Sequence, residues 1–184
     1  MPLTDGTAQT DAALMARAAT GDRGAFESLC LRHLARLYVL ARRIGVESAD
    51  AEEVAQEAMV RAWRNARAFD PARGSLAAWL NRIAVNIAID RRRAAVPHTE
   101  LTDALVASGP DPESALLRRE LRGVLASGLA ALPARQRAAV VLTYGEERSG
   151  AEAAGVLGIS VRALEGLLRR ARLSLRDWML TREA

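Results

Sequence analysis

Residues 149–176 read SGAEAAGVLGISVRALEGLLRRARLSLR. Ser149 with Glu152 three positions on is a capping box, in which each side chain takes up an unpaired backbone N–H at a helix start. The helix so opened stops at Gly158, and Ser160 caps a final helix of about Val161–Met179. Two helices that cross steeply need a small residue where they touch, a glycine in the turn and an apolar residue locking the second helix. Ala154, Gly158 and Leu164 supply these, and the turn Gly158-Ile159-Ser160 has the length of a helix-turn-helix. The second helix is expected to bury Val161, Leu164, Leu168, Ala171 and Leu175. Its other side carries Arg162, Arg169, Arg172 and Arg176, with Glu165 among them. Such a helix fits a major groove about 12 Å wide, with arginines on phosphates or guanine edges. An ordinary helical hairpin with a solvated basic face carries the same pattern, and both readings stand at this point.

Upstream, Leu132-Pro133 opens a helix that runs to about Tyr144, proline suiting a first helical position. A further helix is expected over about Glu113–Leu129. Before it, residues 97–114 read PHTELTDALVASGPDPES, with four acids and no arginine. Residues 1–96 carry 14 Arg and 11 acids, and residues 115–184 carry 12 Arg and seven acids. A Pro-, Ser- and Asp-containing acidic stretch thus separates two basic, apolar-periodic halves and reads as a flexible linker. The expected architecture is all-α, with two small helical domains, 1–96 and 115–184, joined by residues 97–114.

The N-terminal half reads as four helices. The first covers about Asp11–Ala19 behind Thr10, and the second runs from about Asp22 to Ile44, stopped by Gly45. The third starts at Ser48 or Asp50, Asp50 with Glu53 being a candidate cap, and reaches about Ala66. The loop FDPARGS, residues 69–75, leads into a fourth helix of about Ser75–Arg93. Leu76, Leu80, Ile83 and Ile87 form its expected buried stripe.

Helix three has a small-residue stripe, Ala51, Val54, Ala55, Ala58 and Ala62, and a polar face of Glu53, Gln56, Glu57, Val60 and Arg64. The acids complement a positive helix N-terminus, and a polar face with an exposed valine also reads as a docking surface. Helix four carries Arg82, Asn86, Asp90 and Arg93 on its polar side and ends Arg91-Arg92-Arg93. That pattern fits either cations at a negative helix C-terminus or nucleic-acid contact, with asparagine on base edges and arginine on phosphates. Trp79 neighbours the apolar stripe and reads as core rather than as a stacking platform.

The composition narrows the function classes. The chain has 184 residues, half of them hydrophobic and 4% aromatic, with 26 basic residues against 22 acidic. All the basic residues are arginine, which fits a coding bias as well as oxyanion contact. No apolar run reaches about 18 residues, so no membrane insertion is expected. The start, MPLTDGTAQTD, lacks a secretory pattern, so an intracellular, cytoplasmic protein is expected. Cys30 is the lone cysteine, which excludes an intrachain disulfide. No nucleophile–base pair, phosphate-cradling loop or metal cluster stands out, so neither enzyme nor cofactor is expected.

Four stretches in order carry a resemblance. They are LMARAATGDRGAFESLCLRHLARLYVLARRIG (14–45), DAEEVAQEAMVRAWRNARAFDPARGS (50–75), LAAWLNRIAVNIAIDRRR (76–93) and LPARQRAAVVLTYGEERSGAEAAGVLGISVRALEGLLRRARLSLR (132–176). Together they resemble the sigma-70 superfamily, in particular the short extracytoplasmic-function (ECF) type of RNA polymerase sigma factor. The resemblance implies a region 2 that docks on the clamp helices of the polymerase core and opens the −10 element. It implies a region 4 that binds the core flap and reads the −35 element through the helix-turn-helix. The partners implied are the β and β′ subunits of the core, promoter DNA and an anti-sigma factor.

Carried over by motif, core docking falls on Asp50, Glu53, Gln56 and Glu57. The −10 contact falls on Arg73, Gly74, Ser75, Asn86, Asp90, Arg91 and Arg92. The −35 contact falls on Ser160, Arg162, Ala163, Glu165, Gly166, Arg169, Arg170 and Arg172. Where relatives often carry a Thr-Val-Lys-Ser-Arg-like run, this chain has Ala163-Leu164-Glu165-Gly166-Leu167, which removes two contacts of the phosphate or base type. The two promoter elements lie roughly 25 base pairs apart, about 85 Å at 3.4 Å per pair. The linker spans at most about 60–65 Å and averages nearer 25 Å when flexible. Engaging both elements therefore calls for an opened chain, while the free protein can be compact. The rival readings are a stand-alone helix-turn-helix regulator with an N-terminal sensing domain and a helical adaptor that binds protein only.

Overall fold

A computed structural model of the chain describes residues 9–94 and 123–183. The expected linker, 97–114, and the first part of the helix expected over Glu113–Leu129 lie outside the described residues. The helices are α1 (Asp11–Ala18), α2 (Arg23–Ile44), α3 (Ser48–Arg64), α4 (Leu76–Ala94), α5 (123–131), α6 (Ala134–Val140), α7 (Gly150–Leu157) and α8 (Val161–Glu183). There is no strand among the described residues. Short 3-10 turns, Ala66–Ala68 and Pro71–Arg73, join α3 to α4, and a π-helical turn, Val141–Gly145, extends α6.

Local chemistry sets the helix ends. Thr10 Oγ1 accepts from the Ala13 N–H at 3.2 Å, and Asp22 Oδ1 from the Ala25 N–H at 3.0 Å. Gly45 closes α2 at φ +98°, a conformation that only glycine adopts without strain. Asp50 is not the cap of α3. Val46 is buried and its N–H returns to Ala41 O at 3.1 Å, so the chain reverses at once and α3 begins at Ser48. Asp50 then lies in the first turn, and Glu47 occupies the cap position without a side-chain bond. Ser75 Oγ accepts from the Ala78 N–H at 3.2 Å and starts α4. The loop before it is shaped by Asp70, whose carboxylate accepts from the Ala72 N–H at 2.9 Å.

α2, α3 and α4 pack as a bundle with α1 across one side. Ala51, Ala55, Ala58 and Ala62 are all buried, and their small side chains let the three long helices approach closely. Trp79 packs on Phe69, ring centres 5.6 Å apart, and Trp63 on Phe26 at 4.9 Å. The expected stripe of α4 is too narrow. Asn81, Ala84, Val85, Ala88 and Ile89 are buried as well, and Ile83 only partly. α4 is covered on a second side by α6 and α7, so both halves of the chain share one apolar core.

α1 is fastened by charge. Asp11 meets His33 Nε2 at 2.7 Å and accepts from Arg32 at 2.8 Å, His33 being 6% exposed. Burial alone would raise the Asp11 pKa, but the hydrogen bonds from Arg32 and His33 outweigh it and hold the carboxyl below its ordinary range. Asp22 and Glu152 are likewise held low, by the Ala25 N–H and by the Ser149 hydroxyl respectively. A carboxylate depressed in the folded state stabilises it above the unfolded pKa, and that contribution is lost as pH falls through the folded value. Thermal melts should therefore show a falling midpoint below about pH 4. Asp11→Asn should lower the midpoint at neutral pH and make the acid limb shallower. A limb of unchanged slope would remove Asp11 from this account.

Candidate nucleic-acid interface

The helix-turn-helix is built as its sequence implies. Ser149 and Glu152 form the reciprocal box: the Ser149 N–H donates to Glu152 at 2.9 Å and the Glu152 N–H to Ser149 Oγ at 3.3 Å. Gly158 adopts φ +66°, and the Ile159 N–H returns to Ala154 O at 3.0 Å. Ser160 Oγ accepts from the Ala163 N–H at 3.2 Å and starts α8. Ala154, Leu164 and Ala171 are buried, whereas Leu168 and Leu175 are half-buried. Val161 was expected inside and is 45% exposed. It sits in the first turn of α8 beside Gly150, which opens α7 and has no side chain to cover it.

Ser160, Arg162, Ala163, Glu165, Arg169, Arg170 and Arg172 are all exposed, with Gly166 half-buried between them. At 100° per residue, Arg162, Glu165, Arg169, Arg172 and Arg176 share one face, opposite the buried Leu164 and Ala171. Among the described residues only Arg176 of these arginines has an acid beside it, Asp177 at 3.6 Å. The face thus presents guanidinium groups to whatever docks there.

A second exposed surface lies on α4. Arg82, Asn86, Asp90 and Arg93 are exposed at helical spacing, and Arg73, Gly74 and Ser75 are exposed in the preceding loop, Gly74 at φ +144°. Neither Asn86 nor Asp90 makes a side-chain hydrogen bond among the described residues, so both present their polar atoms outward.

The structure joins two groups that the sequence reading kept apart. Arg91, expected on DNA, reaches α3 and meets Glu53 at 2.6 Å, Asp50 at 3.4 Å and Glu57 at 3.7 Å. The Glu53 hydrogen bond, with the charges of Asp50 and Glu57, raises the Arg91 pKa. Glu57 also holds Arg61 at 2.6 Å. Gln56 and Val60 remain exposed beside this cluster. The acidic face is therefore fixed in place from α4 and partly neutralised.

Arg92 differs most from its sequence assignment. Its guanidinium donates to Ile44 O at 2.8 Å, Ala130 O at 2.6 Å and Leu132 O at 3.0 Å. The last turn of α4 abuts the C-terminal ends of α2 and α5, whose carbonyls have no helical partner and attract a cation. In this arrangement Arg92 faces protein and not a phosphate. Arg137, which the sequence reading passed over, is buried alongside, its Nε donating to Arg43 O at 2.8 Å. Nothing local distinguishes it from an exposed arginine in the first turns of a helix.

The family description "Sigma-70 region 2" matches residues 29–96, and "Sigma-70, region 4" matches residues 122–175. RNA polymerase sigma factor CnrH of Cupriavidus metallidurans is 36% identical over 176 residues, which cover 90% of this chain and 92% of that protein. The chain belongs to the ECF sigma factors of the sigma-70 family. ECF RNA polymerase sigma factor SigW of Bacillus subtilis is 34% identical, over 85% of this chain and 89% of its own. SigE of Mycolicibacterium smegmatis is also 34% identical, but this chain spans only 65% of it. Among solved structures, CnrH in complex with the cytosolic domain of CnrY matches with TM-score 0.67 and 34% identity, over 94% of this chain and 99% of that one. Bartonella quintana RpoE, solved with the anti-sigma factor NepR, shares the fold at TM-score 0.58 and 22% identity, over 84% of this chain and 96% of that one. As a sigma factor the protein is a transcription initiation factor. The candidate residues on α3 and α4 fall inside the region 2 match, and those on α8 inside the region 4 match.

Proposed function

We propose that this sigma factor binds the polymerase core through α3, opens the −10 element with α4 and its preceding loop, and reads the −35 element with α8. The observation that carries this is the presence of three exposed faces of different chemistry on one helical protein. The α3 face (Asp50, Glu53, Gln56, Glu57) is acidic and fits a basic surface on the β′ clamp. The α4 face (Asn86 and Asp90, with Arg73, Gly74 and Ser75) offers hydrogen-bonding groups suited to unpaired bases. The α8 face offers guanidinium groups to a duplex. Arg91 serves the acidic face by holding its carboxylates. The C-terminal half takes the β flap.

Residues 1–96 and 115–184 act as two modules on the tether 97–114, each with its own promoter element. An anti-sigma factor restrains the protein until a signal arrives, a reading supported by the complex in which the similar CnrH was solved. Work in the cytoplasm is consistent with the absence, among the described residues, of any helix long and apolar enough to cross a membrane.

Asn86→Ala should impair promoter opening while leaving core binding intact, because Asn86 is exposed and supports no other contact among the described residues. Permanganate footprinting of the −10 region by the reconstituted holoenzyme should show weaker thymine reactivity. Unaltered reactivity with normal core binding would move base recognition off this face.

A further inference from the structure

The seam between the two halves is held in an unusual way. Gly45 ends α2 there, and a Cβ at this position would collide with the guanidinium groups of both Arg92 and Arg137. Arg42 adds a third guanidinium, donating to Val46 O at 3.0 Å. Among the described residues no carboxylate pairs with any of the three, and every hydrogen bond they make runs to a backbone carbonyl. Burial, with the charges of Arg92 and Arg42, lowers the Arg137 pKa to about 10.

The rim is imperfect too. Arg43 bridges to Glu146 at 2.5 Å and to Gly145 O at 3.1 Å, yet its Nε is buried without a partner among the described residues, as are Arg148 Nε and Thr143 Oγ1. Asn81 on α4, its amide oriented by its partners, accepts from the Arg148 guanidinium. The π-helical turn Val141–Gly145 and Glu147, at φ +49°, lie along the same edge. A buried guanidinium crowded by two half-buried ones, unpaired polar atoms and a left-handed non-glycine residue each cost free energy in the closed arrangement. They gather where the halves meet, whereas α1 is fixed to α2 by the complementary charges of Asp11, Arg32 and His33.

We propose that Arg92 and Arg137 form a latch that holds the free sigma factor closed until core binding separates the halves. The inference rests on the sigma-factor reading. Two modules in contact do not reach promoter elements about 85 Å apart. The closed arrangement also lays Arg82 of α4 against Gly158, at the turn that leads into the recognition helix. Weak attachment suits this role, because core binding has to supply the opening free energy.

The test uses the full chain with Arg137→Gln and, separately, Glu146→Arg, which sets a like charge against Arg43. A compact chain of this length has a radius of gyration of about 16 Å, whereas two modules of order 12 Å each, held well apart, exceed about 20 Å. In small-angle scattering the wild type should be compact and both variants expanded, with helical circular dichroism retained. Core association should tighten about tenfold in the variants, since a mostly closed protein binds in proportion to its open fraction. A purely structural role would weaken core association instead. Should Arg137→Gln lose helicity, the Glu146→Arg result decides. Folded variants with wild-type size and core affinity overturn the latch. Wild-type transcription with core is measured alongside, and its absence would overturn the sigma-factor reading rather than the latch.

Discussion

Reversing Glu53 and Glu57 to arginine should weaken association with polymerase core by two orders of magnitude or more. Both side chains stand on α3 with Gln56 and Val60 exposed around them, and neither belongs to the apolar core. Like charges facing a complementary surface cost several kcal/mol, and each 1.4 kcal/mol is about a factor of ten. The double variant also meets Arg91 with two new cations and removes the Glu57–Arg61 pair, an i,i+4 contribution of only about 0.3–0.5 kcal/mol. Helicity should survive, because the buried alanine stripe of α3 is untouched. Pull-down with core and far-UV circular dichroism separate the two effects. Normal retention by core in a folded double variant would remove docking from this face.

Replacing Arg169 and Arg172 with alanine should leave core binding unchanged and strip the holoenzyme of most of its −35 affinity. The two share a face of α8 and have no acidic partner among the described residues, so the change disturbs no ion pair. Each arginine that neutralises one duplex phosphate contributes about 0.9 to the slope of log K against log salt, so the pair should lower that slope by about 1.8. Anisotropy titrations of holoenzyme with a −35 duplex across a salt series measure it. An unchanged slope would place the phosphate contacts on another face.

Much of the fold was legible because its signals are local. Thr10, Asp22 and Ser149 cap the helices they precede, and Gly45 and Gly158 end theirs with positive φ. Where the reading fell short, the deciding partner lay far along the chain. Asp50 looked like a cap, but its carboxylate faces Arg91, 41 residues away. The buried side of α4 was drawn too narrow because Ala84 and Ala88 are compatible with either a surface or a core, and the packing of α6 and α7 decides. Arg92 and Arg137 carry no sequence mark of their destination, since guanidinium-to-carbonyl bonds spanning 38 and 94 residues leave no periodicity. The faces on α3 and α8 were visible as patterns of exposed charge. That Arg91 ties the acidic face to α4 was not, because arginine at a helix C-terminus already has a local explanation.

Promoter recognition by polymerase core should depend on this protein. Run-off transcription from the upstream region of its own gene tests it most directly, with core alone, the protein alone and the two together. A discrete transcript is expected only when both are present. A transcript pattern indifferent to the protein, or a protein that binds the duplex promoter equally well without core, would contradict it.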